Sequence, residues 1–177
     1  LYYMKNILTK FLLIFILSVS NSYSQMTHNV SKDEFKGTTS HFIKTISVRP
    51  NLPLSFPYEK TKSKLIVGCT VNSHYWAYVY FNNVNLVDGN IGDGYYSYTL
   101  EIKAKDGFHK VMATQKHGAS SIFFNMLSSD KKKVTWLMRQ NDEIWIQFNH
   151  YKDGKRFYKY DTRGFAELFD KNCTNVK

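Results

Sequence analysis

From Lys64 to Phe81 the sequence reads KLIVGCTVNSHYWAYVYF, and its apolar residues alternate. Leu65, Val67, Cys69 and Val71 precede the stretch Asn72-Ser73-His74, and Tyr75, Ala77, Val79 and Phe81 follow it. A side-chain period of two belongs to a strand with one buried face, so this stretch predicts a β-hairpin and commits the chain to a sheet with a core behind it. Cys69, one of only two cysteines, falls in the inward set.

The same alternation recurs downstream, separated by turn formers. His41 to Val48 predicts a first strand. Pro50, Pro53 and Pro57 then bar a central strand, because each fixes its own φ and lacks a ladder donor; the segment reads as an extended loop or edge. Asn82 to Gly94, with Asp88-Gly89 and Asp93-Gly94, is turn-rich. Tyr95 to Lys103 and Phe108 to Gln115 form a second hairpin about Asp106-Gly107, and Ser120 to Leu127 is another short apolar strand. Ser128 to Lys133 reads as a polar turn and Val134 to Arg139 as a short helix. Glu143 to Asn149, with Ile144, Ile146 and Phe148 inward, pairs with Lys155 to Asp161 across Asp153-Gly154. The chain then changes period: Phe165, Leu168 and Phe169 recur at helical spacing, and Cys173 continues that stripe.

Both cysteines therefore point to the core boundary, one by strand alternation and one by helix spacing. A Cys69–Cys173 disulfide is expected, tying the final helix to the central hairpin; two free thiols is the alternative. The fold class expected is all-β, an antiparallel β-sandwich of about seven or eight strands with one short C-terminal α-helix.

Upstream of the first strand, Met4 is the sensible initiator, with Leu1-Tyr2-Tyr3 an upstream extension. Lys5 and Lys10 are followed by an apolar run from Phe11 to Val19 and a small, polar stretch from Ser20 to Ser24, the pattern of a secretory signal peptide over 1–24. The apolar run is about half of the roughly 20 residues a membrane-spanning helix needs, so the chain is not expected to be an integral membrane protein after cleavage. The mature chain is expected to begin at Gln25, with a flexible lead-in over 25–40 and a single domain over 41–177. No cysteine follows the cleavage region, which argues against a lipid anchor. The expected location is outside the cytoplasm, periplasmic or extracellular, where disulfides persist.

Twenty-four Lys and Arg against 14 Asp and Glu give a net charge of +10, and losing Lys5 and Lys10 leaves +8. That balance favours anionic surfaces. The longest basic run is only Lys131-Lys132-Lys133, however, which suits a solvated surface and specifies no nucleic acid.

Catalytic and metal signatures are missing from the sequence. The six histidines, His28, His41, His74, His109, His117 and His150, include no pair two, three or four residues apart. Neither a nucleophile elbow nor a cysteine outside the expected bridge is present, and Ser120-Ser121 after His117-Gly118 is an ordinary loop pattern. Asp88, Asp93, Asp106, Asp142, Asp153 and Asp161 sit at turns and strand ends, where Asp bonds its own backbone. No cofactor is expected. The functional hint is aromatic: Trp76, Tyr78 and Tyr80 lie on the hairpin face opposite Cys69, and Tyr96 and Tyr98 are expected to join them in a stacking platform.

The segments LIVGC (Leu65 to Cys69), SSIFFNML (Ser120 to Leu127), LMRQNDEIWIQF (Leu137 to Phe148) and YDTRGFAELFDKNC (Tyr160 to Cys173) together resemble small exported bacterial proteins. These are the VasI-like proteins associated with type VI secretion and the more distant invasion-associated locus B proteins. The resemblance spans Leu65 to Cys173 and implies a compact β-sandwich with a C-terminal helix, located outside the cytoplasm. It supplies no catalytic residues. The leading expectation is an exported, non-enzymatic binding or accessory protein of the bacterial envelope, whose partner is a protein or an anionic envelope polymer. A small secreted hydrolase or toxin acting on envelope glycans and a purely structural or inhibitory domain are the alternatives.

Overall fold

The computed structural model describes residues 26–70, 74–87, 89–125 and 129–174. The expected signal peptide, the Asn72-Ser73 turn, the inward Val71, Asp88 and the Leu127 end of one strand lie outside them.

Ten strands form one antiparallel sheet: β1 (Thr27–Asp33), β2 (Thr38–Lys44), β3 (Ser63–Thr70), β4 (Tyr75–Phe81), β5 (Asn90–Gly92), β6 (Tyr95–Ala104), β7 (Gly107–Lys116), β8 (Ser121–Phe124), β9 (Glu143–His150) and β10 (Gly154–Asp161). Their order across the sheet is β1-β2-β3-β4-β8-β7-β6-β9-β10, with β5 paired to the start of β6. The sheet folds over on itself. Phe81 of β4 packs edge-on against Phe148 of β9 and Tyr158 of β10, although several strands separate them along the ladder. The segment following β2 closes the gap between the sheet's two ends: Val48 bridges Ser63, Pro50 bridges Tyr158, and the Asn51 backbone N–H donates to the Phe157 carbonyl at 3.0 Å. Pro50 thus takes an edge position, and Asn51 supplies the donor that it lacks.

Two expectations about the strands change. The all-β antiparallel architecture with a C-terminal helix holds, but the count of seven or eight strands falls short because β1 and β5 are strands. Residues 25–40, read as a flexible lead-in, contain β1 and the start of β2, joined by a turn in which the Lys36 N–H donates to Asp33 Oδ1 at 3.0 Å and Gly37 takes φ +62°. The physical reason is exposure. Six of the seven β1 residues are solvent-exposed, so no buried face imposes an alternation that a sequence reading could detect.

The core lies inside the fold. Its largest fully buried side chains include Tyr158, Tyr160, Phe81, Phe124, Phe148 and Phe165; each such ring contributes about 1.5–3 kcal/mol of hydrophobic stabilisation. The tyrosine hydroxyls are paired, Tyr160 with Ser63 Oγ at 2.7 Å and Tyr158 with His150 Nε2 at 3.1 Å. Helix α1 (Asp130–Gln140) presents Val134, Leu137 and Met138 to the core at the spacing of one helix face. It begins earlier than the expected Val134, so Lys131-Lys132-Lys133 occupy its first turn rather than a loop. Helix α2 (Phe165–Phe169) runs into a π-helical turn over Asp170–Thr174. Arg139 of α1 grips Asp170 with two hydrogen bonds of 2.6 and 3.0 Å, and Cys173 is disulfide-bonded to Cys69 of β3, closing a separation of 104 residues.

Candidate functional site

Because Leu65, Val67 and Cys69 face inward on β3, the intervening residues face out; so do Trp76, Tyr78 and Tyr80 on β4. The ladder register then decides which rings meet. Trp76 stands opposite Gly68, which stands opposite Phe42 of β2; Tyr78 stands opposite Ile66 on one side and Phe123 of β8 on the other. Trp76 meets Phe42 edge-on at 5.9 Å and Tyr78 stacks on Phe123 at 4.8 Å between centroids. Five aromatic side chains from β2, β4 and β8 thus share one outer face, spanning β3 between them, with Lys44 over the Phe42 ring and Lys64 opposite Tyr80. The rings cover what lies beneath them: Ile66 is only 6% exposed, and Gly68 has no side chain because the Trp76 indole fills that space. Tyr80, 40% exposed, is the most open of the three outward-facing β4 aromatics. Burial pushes the Tyr78 phenol pKa up, so it remains a neutral hydrogen-bonding group.

Tyr96 and Tyr98 do not join this face, which corrects the expected platform. Both lie in the inward set of β6 with Leu100, Ile102 and Ala104. Tyr98 is 6% exposed and donates to Gln115 Oε1 at 2.8 Å, and burial followed by the charge of Tyr96 pushes its pKa up to about 12. Tyr96 stacks on His117 at 5.5 Å in a separate polar cleft of about 380 Å³, beside Asn83 and Asn85. In Tyr-Tyr-Ser-Tyr aromatic residues occupy both parities, and the aliphatic residues further along β6 fix which parity is buried.

A second aromatic group, absent from the expected site, lies on the outer face of β7, β6, β9 and β10. Phe108, Lys103, Trp145 and Lys159 form one continuous cross-strand row. Trp145 stacks nearly parallel on Phe157 at 4.9 Å, and Lys103 Nζ lies 4.7 Å from the centre of the Trp145 ring. Glu143 accepts from Trp145 Nε1 at 3.1 Å and pairs with Lys159 at 2.6 Å; the Lys159 hydrogen bond is the main reason its carboxyl sits below the ordinary range. The signal was present in the sequence. With Ile144, Ile146 and Phe148 inward, Trp145 had to face out.

Of the candidate acids, Asp106 accepts from or pairs with His109 at 2.9 Å, Asp153 accepts from Ser55 N and Oγ, Asp161 pairs with Arg163, and Asp93 takes a positive φ in a turn. His28 and His41, 13 residues apart, come together across the first hairpin with Nε2 and Nδ1 at 3.0 Å. Among the described residues no group of three or more His, Cys, Asp and Glu side chains is placed to hold a metal ion, and no helix is long and apolar enough to cross a membrane.

Fold and surface together define a class: an antiparallel β protein, closed by one disulfide, that carries two separate aromatic and cationic outer faces. Comparison with protein-family models, with curated proteins and with solved structures returns no match for this chain.

Proposed function

We propose that this is an exported, non-enzymatic binding or accessory protein of the bacterial envelope, and that its partner, a protein or an anionic envelope polymer, docks on the outer face built by Phe42, Trp76, Tyr78, Tyr80 and Phe123. The single observation carrying this reading is that five rings from β2, β4 and β8 lie on the outward side of the sheet while both helices pack elsewhere, α1 through Val134, Leu137 and Met138 toward the core and α2 beneath the disulfide. Tyr80 is exposed and the other four rings are half-buried, and aromatics clustered on an outer face mark interaction surfaces, because each ring brings large apolar area at little entropic cost. Lys44 and Lys64 at the margin add attraction for an acidic partner. The disulfide supports the extracytoplasmic setting.

The test is capture from an envelope extract by immobilised protein, comparing the wild type with Trp76→Ala/Tyr78→Ala. A partner retained by the wild type and lost by a variant with an unchanged circular dichroism spectrum supports the reading. Equal capture by both overturns it, and so does unfolding of the double variant, which would make these rings part of the core.

A further inference from the structure

One end of the sheet carries a surface of a different kind. Past Pro50 the chain runs antiparallel to β10. Asn51 is held to Phe157 by hydrogen bonds of 3.0 Å in each direction, and Asp153 accepts from the Ser55 backbone N–H at 3.0 Å and its hydroxyl at 2.8 Å. The Tyr58 N–H then closes a turn on the Ser55 carbonyl at 2.8 Å, which makes Phe56 and Pro57 its two corner residues. This turn is bolted by Asp153 to the turn between β9 and β10, which presents Tyr151 and Lys152. Phe56 is 84% exposed, and Leu52 and Tyr151 are exposed beside it in the same two segments. Turn corners in water have no need of apolar side chains, so three on two joined turns mark a contact surface.

Charge identifies what it contacts. The two turns and their flanks, residues 49–62 and 151–156, hold Arg49, Lys60, Lys62, Lys152, Lys155 and Arg156 against two acids. Of these acids Asp153 is engaged by Ser55, and the other is Glu59. None of the six cations forms an ion pair with a described carboxylate. The neighbouring loop over 82–87, which meets both turns through Asn83 and Pro57 and through Asn85 and Tyr151, is uncharged. Apolar tips among unpaired cations suit an anionic bilayer: rings enter the headgroup boundary while the long basic side chains stay level with the phosphates. A soluble polyanion would use the cations and leave Phe56 in water. We propose that this end of the molecule docks peripherally on a bilayer of anionic phospholipids, with Phe56 and Leu52 inserted and Lys60, Lys62, Lys152 and Lys155 meeting the phosphates. The Asp153 bolt holds both turns in place before contact, which lowers the cost of ordering them. This surface goes beyond the docking face of β2, β4 and β8 and stands or falls separately from it.

The experiment is co-sedimentation with sucrose-loaded vesicles of the chain from Gln25 onward, which holds every described element and omits the apolar run Phe11 to Val19 that would bind bilayers by itself. Vesicles of equal parts phosphatidylglycerol and phosphatidylethanolamine are compared with vesicles of phosphatidylcholine. Binding is expected to the anionic vesicles, about tenfold weaker to the neutral ones, and to fall as salt is raised. Phe56→Ser, at an exposed corner that keeps the fold, and Lys152→Glu/Lys155→Glu are each expected to weaken it about tenfold or more. Trp76→Ala is expected to leave it unchanged. No sedimentation with anionic vesicles overturns the proposal, and so does equal binding to both compositions. Loss on charge reversal with Phe56→Ser still at wild-type affinity also overturns it, because that is the behaviour of a site for soluble polyanions.

Discussion

Gly68 and Trp76 face each other across β3 and β4 so closely that a Cβ on Gly68 would lie 2.4 Å from the indole ring. The glycine is the seat of the tryptophan. It lets the ring lie flat on the sheet, meet Phe42 edge-on and cover the adjacent backbone. Gly68→Ala is therefore expected to lift the indole off the sheet, changing Trp76 fluorescence while the far-ultraviolet circular dichroism stays that of the wild type. The indole is a movable group at the surface, so the stability cost stays within about 1–3 kcal/mol, the ordinary range for overpacking. An unchanged emission spectrum would show that the ring does not rest on Gly68.

The disulfide anchors α2 and the π-helical turn to β3, with Phe165 and Phe169 in the core beneath it. Closing a separation of 104 residues restricts the unfolded chain strongly, and on the chain-entropy account reduction or a Cys69→Ser/Cys173→Ser variant loses about 4 kcal/mol. Urea denaturation with and without reductant measures this directly. An unchanged midpoint would contradict it.

His150 is 3% exposed and paired with the Tyr158 hydroxyl, and burial lowers its pKa to about 4, with Asp153 and Arg156 pulling in opposite directions. Above pH 6.5 neither the folded nor the unfolded chain protonates this group, so it contributes no pH dependence there. Between 6.5 and about 4 the unfolded chain takes up the proton and the folded chain does not, so stability falls as pH falls. The expected loss is on the order of 3 kcal/mol across that window. Denaturant titrations at pH 7 and 4.5 are expected to differ accordingly, and His150→Gln to flatten the difference. A slope unaffected by that variant would place the pH dependence elsewhere.

The Arg139–Asp170 pair joins α1 to the turn that carries Cys173, and it is bidentate but only partly buried. Asp170→Asn is expected to cost about 1 kcal/mol or less, with the loss shrinking further at high salt. A loss of several kcal/mol would mean that the pair is desolvated far more than its exposure indicates.

What could be read from the sequence follows the physics of burial. β4, β6, β7, β9 and β10 each bury one face, and β3 buries Leu65, Val67 and Cys69 in the core while Trp76 covers its other face, so the alternation was visible, and Cys69 and Cys173 could be placed against one another. β1 buries almost nothing, so no alternation marked it and the segment read as a lead-in. The first turn of α1 was hidden because Lys131 to Lys133 are charged, Lys132 and Lys133 are exposed, and the apolar stripe starts only at Val134. The candidate site was half legible. Trp76, Tyr78 and Tyr80 follow from the parity of Val79 and Phe81, whereas Tyr96 and Tyr98 were assigned by ring type and not by the parity of Leu100 and Ile102. Phe42 and Phe123 could not be placed beside Trp76 and Tyr78, because the order β2-β3-β4-β8 is set by long-range pairing that no local pattern encodes. Trp145 was readable from its own strand. Its partners Lys103, Phe108 and Phe157 depend on the register of β6, β7 and β10.

The central claim is that the Phe42, Trp76, Tyr78, Tyr80 and Phe123 face is where the partner docks. Hydrogen–deuterium exchange of the protein, alone and with a partner captured from an envelope extract at saturating concentration, tests it most directly. The account predicts slowed exchange in residues 38–44, 63–70, 75–81 and 121–124, with the remaining strands unchanged. Unaltered exchange in those four strands, with protection confined to any other part of the molecule, would contradict it.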